Sequence, residues 1–118
     1  MLGSRHEQAY LLAKGNPPRP TMPLDDVRPW IYTGNRLHPT EKAVGILTPL
    51  IESFSQPGDL VLDPFAGSGS TCVAAALSNR RTIGIELDQR YAAPAQKRLD
   101  GACRYARQSD QHEKSAAA

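Results

Sequence analysis

The sequence lacks several features that would point to common classes of protein. Cysteine occurs twice, at Cys72 and Cys103, without a Cys-x-x-Cys pair or a histidine spacing that would build a zinc site. We therefore expect no metal and reduced thiols in a cytoplasmic protein, with Cys72 packed in the interior. No apolar run approaches membrane-spanning length, and residues 1–6 do not resemble a signal peptide, so no membrane partner is expected.

A large excess of charge of one sign is also missing. The 14 basic and 12 acidic residues leave a net charge of +2, which is too small to require a nucleic-acid partner. The basic residues concentrate between positions 80 and 107, at Arg80, Arg81, Arg90, Lys97, Arg98, Arg104 and Arg107. A solvated helix face explains this run better than a DNA-binding surface does. With 40% apolar residues, the 118-residue chain predicts one small globular domain.

The chain is organised around residues 60–71, which read Leu-Val-Leu-Asp-Pro-Phe-Ala-Gly-Ser-Gly-Ser-Thr. The run Leu60–Asp63 follows a turn and ends in an acid, which predicts a short buried strand. A loop with Gly67 and Gly69 comes next, followed by an alanine-rich helix from Thr71. A strand, a glycine-rich loop and a helix start form a nucleotide-type cofactor site, because the backbone and its free amides approach the ligand there.

This loop lacks the residues that two common cofactors require. It has no lysine for the phosphate loop of nucleotide triphosphatases, and Cys72 occupies the place of the third glycine of the dinucleotide fingerprint. Asp63 at the strand tip would also repel a pyrophosphate. The pattern favours a cofactor with positive charge and no phosphate, such as S-adenosylmethionine, and leaves a dinucleotide oxidoreductase fragment as a disfavoured alternative.

The sequence predicts little regular secondary structure in the first part of the chain. Residues 9–13 form a short apolar strand candidate closed by Lys14 and Gly15. Residues 16–29 contain five prolines, which remove amide donors and predict an extended linker over the surface. Trp30 and Tyr32 then favour a core plug over a base-stacking platform.

The second part alternates helices and strands. Thr40 is predicted to cap a helix with Glu41 in its first turn and Pro49 as a kink. Its apolar stripe consists of Ala43, Leu47, Leu50, Ile51 and Phe54. A turn at residues 56–59 leads into the strand Leu60–Asp63.

The remaining elements repeat the strand-to-helix order. The pattern predicts a helix over residues 71–78 that stops at Asn79, and a second strand over 81–86 that also ends in an acid. Asp88 then caps a helix to about Arg107, with Pro94 near its start and a disordered tail over residues 108–118. This order predicts a parallel unit of a doubly wound α/β fold.

Two of these segments resemble motifs of a known family. Residues 63–71 are similar to the cofactor motif of the DNA amino-methyltransferases, which methylate adenine N-6 or cytosine N-4, and above all to the permuted group whose catalytic half comes first. Residues 37–44 resemble that group's His-Pro-Thr-Gln-Lys-Pro motif, from which they depart at Glu41 and Ala43. The resemblance covers roughly residues 7 to 100 and implies a partial Rossmann-like, S-adenosylmethionine-dependent methyltransferase fold.

The resemblance also implies a role for each cofactor-binding residue. Glu86, 17 residues after Gly69 (86 − 69), would take the ribose hydroxyls, and Phe65 would lie against the cofactor. Asp63 would attract the amino-acid or sulfonium end. Gly67 and Gly69 would give the ligand room, and Thr71 ends their motif. His38, Thr40 and Lys42 would close over the methionine end.

Catalytic residues are missing from the sequence. In the family, an Asp/Asn/Ser-Pro-Pro-aromatic tetrapeptide accepts the hydrogens of the base amine and stacks on the base. The nearest segment here, Asn16, Pro17, Pro18 and Arg19, lacks the aromatic residue and lies in the linker. We interpret residues 1–36 as a remnant of the catalytic half, 37–107 as the cofactor-binding half and 108–118 as a tail.

A complete member of the family needs more strands, which we expect before Met1. The short sheet should therefore expose apolar side chains that a complete enzyme buries. Two hypotheses follow. The chain is either the cofactor-binding part of a DNA methyltransferase, with DNA as substrate and a second chain supplying the missing half, or a non-catalytic remnant that keeps the cofactor fold.

Overall fold

The computed structural model describes residues 7–20, 22–29, 31, 33–39 and 41–117. Its elements are α1 (Val44–Phe54), β1 (Leu60–Asp63), α2 (Ser70–Leu77), β2 (Arg81–Gly84) and α3 (Gln89–Ala116). The two strands pair in parallel, with Leu60 opposite Arg81 and Asp63 opposite Gly84. This strand–helix–strand–helix order is the α/β architecture that the sequence predicts.

The predicted strand over residues 9–13 is wrong, because these residues form no ladder with another strand. Tyr10, Leu11 and Leu12 are 85%, 73% and 88% exposed. A single extended segment is stable as a strand only when a neighbour takes its backbone hydrogen bonds. The described residues between 16 and 29 have neither helix nor strand, as their prolines predict. The aromatic pair Trp30 and Tyr32 lies outside the described residues.

Helix α1 begins later than the sequence predicts. Its N-cap is Ala43, which has no capping side chain, and the first turn contains no acid. The prediction that Thr40 caps the helix, with Glu41 in its first turn, is therefore wrong, and Thr40 itself lies outside the described residues. The Glu41 amide instead donates to the carbonyl of His38 at 3.0 Å, which closes a separate turn before the helix.

The turn before β1 has the geometry that its sequence predicts. Gly58 has φ +89°, a left-handed conformation that suits glycine after a proline. The Asp59 amide donates to the carbonyl of Gln56 at 3.0 Å, and the Gly58 amide donates to Asn79 at 2.8 Å. This hydrogen bond fixes the turn to the end of α2. Asn79 has φ +60°, a left-handed conformation that ends a helix, as the sequence predicts.

Helix α2 is the centre of the fold. It packs against α1, α3 and both strands. Cys72 is 3% exposed, as predicted, and Ala74 and Ala75 are fully buried. Small side chains on all sides of one helix allow two other helices and the sheet to approach it closely.

Helix α3 starts as predicted and ends later. An oxygen of the Asp88 side chain accepts the amide hydrogen bond of Arg90 at 2.9 Å, which is an N-cap contact. The helix continues to Ala116, so the prediction of a disordered tail is wrong for residues 108–116. This segment has no proline or glycine, and five of its nine residues are glutamine, glutamate, lysine or alanine, whose helix propensities favour continuation of the helix.

One face of the sheet is covered by helices and the other is exposed. Because side chains alternate along a strand, Leu60, Leu62, Ile83 and Ile85 lie on the face opposite α2, which we call the bare sheet face. They are 51%, 59%, 48% and 54% exposed. The prediction of a buried strand is thus wrong for this face, whereas the expected exposed apolar sheet is present.

No described helix is apolar over a length that would cross a membrane.

Candidate functional site

The two strands end at the same edge of the sheet, and backbone hydrogen bonds continue beyond them. The amide of Ile85 donates to the carbonyl of Asp63 at 2.9 Å, and the amide of Ala66 donates to Ile85 at 2.8 Å. The sequence predicts that strand β2 ends at the acid Glu86, but it ends two residues earlier, at Gly84. Asp63 and Glu86 nevertheless lie at the same edge, as expected for parallel strands.

The carboxylate of Glu86 connects the end of β2 to the glycine loop, which we define as residues 64–69. One oxygen accepts the amide hydrogen bond of Asp88 and the other that of Gly67, both at 2.8 Å. These two amides, with Asp88 contributing most, and the nearby His38 hold the pKa of Glu86 below its ordinary value. Glu86 is therefore ionised at neutral pH, and each oxygen retains a lone pair that a ligand hydroxyl can use.

The glycines of the loop make room for protein atoms. Gly67 and Gly69 have φ +53° and +77°. A Cβ at Gly67 would lie 3.3 Å from the ring of His38, and one at Gly69 would lie 3.0 Å from the Cβ of Ala95. Both glycines therefore let other segments pack closely on the loop, a role that the sequence does not predict.

A small cavity of about 90 Å³ lies at the end of β1, between the glycine loop and the upstream loop, which we define as the described residues 37–39 and 41–42. It brings together five of the nine predicted site residues, His38, Lys42, Asp63, Gly67 and Thr71. Glu41 also lines it, although it departs from the family motif. The predicted Thr40 lies outside the described residues.

A second cavity of about 400 Å³ adjoins the first between the end of β2 and α3. Glu86 and Gly69 line it, and Ala66 lines both cavities. The glycine loop therefore lines both cavities, and each cavity has a carboxylate from one strand end, Asp63 in the first and Glu86 in the second. An elongated ligand with a small polar end and a larger apolar end would match this shape.

Two large apolar side chains stand at the edge of the site. Phe65 is 89% exposed, and its amide donates to the side chain of Asp63 at 3.1 Å. Leu87, next to Glu86, is 98% exposed. The sequence predicts Phe65 as a site residue and misses Leu87, since a single leucine after an acid carries no distinctive pattern. Exposed apolar groups beside a polar cleft are typical of ligand sites.

The basic residues of the upstream loop contact other parts of the chain. The ring of His38 packs edge-on against Tyr91 of α3, with 4.3 Å between ring centroids and 62° between planes. The ammonium of Lys42 lies 3.0 Å from the carboxylate of Glu7. These contacts hold the loop against α3 and against the N-terminal segment. The sequence gives no signal for Tyr91, because a tyrosine at a helix start is ordinary.

Gly84 is a further residue that the sequence reasoning misses. A Cβ there would lie 2.7 Å from the sulfur of Cys72 and 3.1 Å from the Cβ of Ala66. Burial of the Cys72 thiol raises its pKa, so the sulfur is a packing atom at neutral pH. A glycine inside a strand is the available signal, because it often marks a close approach of another segment.

The segment Asn16 to Arg19 lies away from these cavities. Pro17, Pro18 and Arg19 line a separate cavity together with Phe54, at the carboxyl end of α1. The upstream loop precedes the opposite end of this helix. An 11-residue helix is about 16 Å long, so the segment and the upstream loop lie at opposite ends of α1.

Within the part of the chain that the structure describes, no group of three or more side chains could bind a metal ion.

Comparison with known proteins identifies relatives for most of the chain. The family model described as DNA methylase matches residues 4–97. YubD of Escherichia coli (strain K12) is 63% identical over 98 residues, which are 83% of this chain and 43% of YubD. The DNA adenine methyltransferase YhdJ of the same organism is 47% identical over 68 residues, which are 58% of this chain and 23% of YhdJ.

A solved structure supports the same fold. The chain superposes on the crystal structure of the M1.HpyAVI–SAM complex with a TM-score of 0.58 at 32% identity, over 69% of this chain and 43% of that one. The chain thus spans less than half the length of each of these proteins, and its helices and parallel strands are part of a Rossmann-like α/β fold. Because the family model matches more than half of its residues, this chain belongs to the DNA methylase family.

Proposed function

We propose that this chain binds S-adenosylmethionine and is the cofactor-binding part of a DNA amino-methyltransferase. The observation that carries the proposal is the position of Asp63 and Glu86 at one edge of the sheet, beside the glycine loop. The relatives named as methyltransferases and the neighbour solved as a SAM complex support it. Residues 37–107 would form the cofactor-binding half, as the sequence predicts.

The small cavity suits the amino-acid end of this cofactor. That end carries one ammonium and one carboxylate, and the cavity contains side chains of both signs. Asp63 would attract the ammonium, and His38 and Lys42 would attract the carboxylate, with Thr40 and Thr71 as further polar groups. A mixed lining of this kind favours a zwitterion over a simple anion, which would be repelled by Asp63 and Glu41.

The larger cavity suits the adenosine end. Glu86 is ionised and retains acceptor capacity, so it would accept hydrogen bonds from the ribose hydroxyls. Phe65 is exposed at the edge of the site and would lie against the cofactor, and Gly69 shapes the loop beneath it. Two carboxylates at this edge disfavour the pyrophosphate of a dinucleotide, so the oxidoreductase alternative receives no support.

Bound S-adenosylmethionine would supply an electrophilic methyl group on its sulfonium. Transfer to a base amine also needs acceptors for the amine hydrogens and in-line placement of the methyl group. The nearest match to the family's tetrapeptide, residues 16–19, lies at the far end of α1. We infer that the catalytic residues belong to the part of the family that the 118 residues do not match, and that a second chain with this part can supply them.

The bare sheet face supports such a partner. Leu60, Leu62, Ile83 and Ile85 are each about half exposed, and exposed apolar patches of this kind mark interaction surfaces. A second chain with the missing strands of the family would cover this face. Its reaction on DNA and the free thiols of this chain fit a cytoplasmic protein.

Calorimetric titration with S-adenosylmethionine tests the cofactor proposal. The wild-type chain should bind, and Glu86→Ala should weaken binding about tenfold or more, because the ribose loses its acceptor. Asp100→Asn on the exposed side of α3 is the matched control and should bind like the wild type. Absence of wild-type binding, or equal binding by Glu86→Ala, would refute the proposal.

A methyl-transfer assay separates the two functional hypotheses. The chain should transfer no labelled methyl to DNA by itself. Transfer should occur after addition of the part of the 63% identical relative that the match does not cover. Cofactor binding without transfer under either condition would select the non-catalytic binding module instead.

A further inference from the structure

A partly buried ion pair connects the upstream loop to helix α3. A guanidinium nitrogen of Arg98 lies 3.8 Å from the carboxylate of Glu41, and these side chains are 25% and 8% exposed. The other oxygen of Glu41 accepts the amide hydrogen bond of Leu37 at 3.3 Å. Glu41 thus holds both ends of the upstream loop together and fastens the loop to α3.

Arg98 also contacts the glycine loop. Its second terminal nitrogen donates to the carbonyl of Ser68 at 2.5 Å and lies 3.4 Å from the hydroxyl of Ser70. Ser68 and Ser70 are 5% and 4% exposed, and their hydroxyls lie 3.2 Å apart. A single side chain of α3 therefore contacts both loops that enclose the small cavity.

The chemistry of arginine explains why it occupies this position. A planar guanidinium presents several donors in a fixed fork, so one group can bind a carboxylate and a carbonyl at once. A partly buried charge is stable only when it is paired and hydrogen-bonded, so each partner restricts the others. Glu41 stands where the family motif usually has glutamine, which would keep the acceptor for Leu37 and lose the charge.

We propose that Arg98 and Glu41 are positioning residues that hold the upstream loop and the glycine loop at a fixed separation before the ligand arrives. Neither side chain needs to contact the ligand. The pair lowers the cost of binding, because the loops that line the small cavity are already ordered. The identity of the ligand rests on the proposed function, whereas the order of the loops does not.

Four single variants and one double variant of this chain test the inference. Arg98→Met removes the charge and the donors, Arg98→Lys keeps the charge without the fork, and Glu41→Gln removes the opposite charge. Lys97→Met is the matched control, because Lys97 is an exposed cation on the same helix. Hydrogen exchange of the Leu37 and Glu41 amides is measured without ligand, and calorimetry with S-adenosylmethionine measures binding.

The expected results distinguish positioning from general stability. In Arg98→Met, both amides should exchange about tenfold faster and the cofactor should bind about tenfold more weakly, since the carboxylate of Glu41 loses its charged partner. Arg98→Lys and Glu41→Gln should show smaller changes in the same direction, and Lys97→Met none. The double variant of Glu41→Gln and Arg98→Met should bind S-adenosylmethionine no more weakly than Arg98→Met alone, because the two residues act as one unit.

Several results would overturn the inference. Unchanged exchange at both amides in Arg98→Met would refute it, and so would an equal increase in the amides of α2, which would indicate a loss of general stability. Weaker binding without faster loop exchange would also contradict it. Faster loop exchange in a chain that binds no S-adenosylmethionine would support the positioning pair and refute the proposed function.

Discussion

Replacing Gly69 with alanine should destabilise the chain in the absence of any ligand. Gly69 has φ +77°, a conformation that costs an alanine about 1–2 kcal/mol. The added methyl would lie 3.0 Å from the Cβ of Ala95 and 3.4 Å from its Cα, so α3 must move away from the loop. Overpacking of this kind adds about 1–3 kcal/mol. We therefore expect the free energy of unfolding to fall by about 2–5 kcal/mol.

Gly101 provides a matched control for this prediction. It lies within α3, where an added Cβ meets no atom within 4 Å outside the helix's own backbone. Gly101→Ala should raise the free energy of unfolding by about 0.5–1 kcal/mol, because alanine favours the helix. Denaturant unfolding followed by circular dichroism measures both variants. Equal stability of Gly69→Ala and the wild type would refute the close packing of α3 on the glycine loop.

Three further predictions concern acid stability, thiol reactivity and association. The pKa of Glu86 is lowered, so its contribution to stability is present above the ordinary pKa of the group and is lost as the pH falls. Denaturant unfolding between about pH 6 and pH 3 should therefore show a smaller loss of unfolding free energy in Glu86→Gln than in the wild type. Cys72 is 3% exposed with a raised pKa, so iodoacetamide should modify Cys103 first, as peptide mass spectrometry would reveal, and early labelling of Cys72 would contradict its burial. Leu62→Thr on the bare sheet face should lower concentration-dependent association in sedimentation experiments without lowering stability, and unchanged association would exclude this face as the contact.

Local sequence patterns predict the elements of the cofactor half well. The strand Leu60–Asp63, the glycine loop and the helix after it are encoded by neighbouring residues, and all occur in the structure. Asp88 likewise predicts the start of α3, because a capping side chain acts two residues along the chain. Most of the predicted site residues with described positions line the two adjoining cavities for the same reason, since both motifs are contiguous.

Features that depend on distant contacts could not be predicted. The strand expected over residues 9–13 fails because its sequence does not reveal whether a neighbouring strand exists. Glu41 and Arg98 are far apart in the sequence, and no local pattern around either residue predicts that they form an ion pair. The contact of Gly69 with Ala95 is equally invisible in the sequence, because nothing near Gly69 in the chain indicates that α3 packs against it.

The late start of α1 has a different cause. Thr40 and Glu41 form a favourable cap pattern, yet the Glu41 side chain accepts the Leu37 amide and pairs with Arg98. Tertiary contacts thus use the acid that the sequence assigns to the first helical turn. The helix begins at Val44, where the upstream loop ends.

Binding of S-adenosylmethionine at the edge shared by β1 and β2 is tested most directly by a titration followed in amide NMR spectra. The largest shifts should fall on the glycine loop, on Glu86 and its neighbours, and on the upstream loop, while the amides of residues 108–116 at the end of α3 stay unchanged. A saturable titration with this distribution would support the proposed site. Absence of saturable shifts, or shifts centred on the cavity beside Phe54, would contradict it.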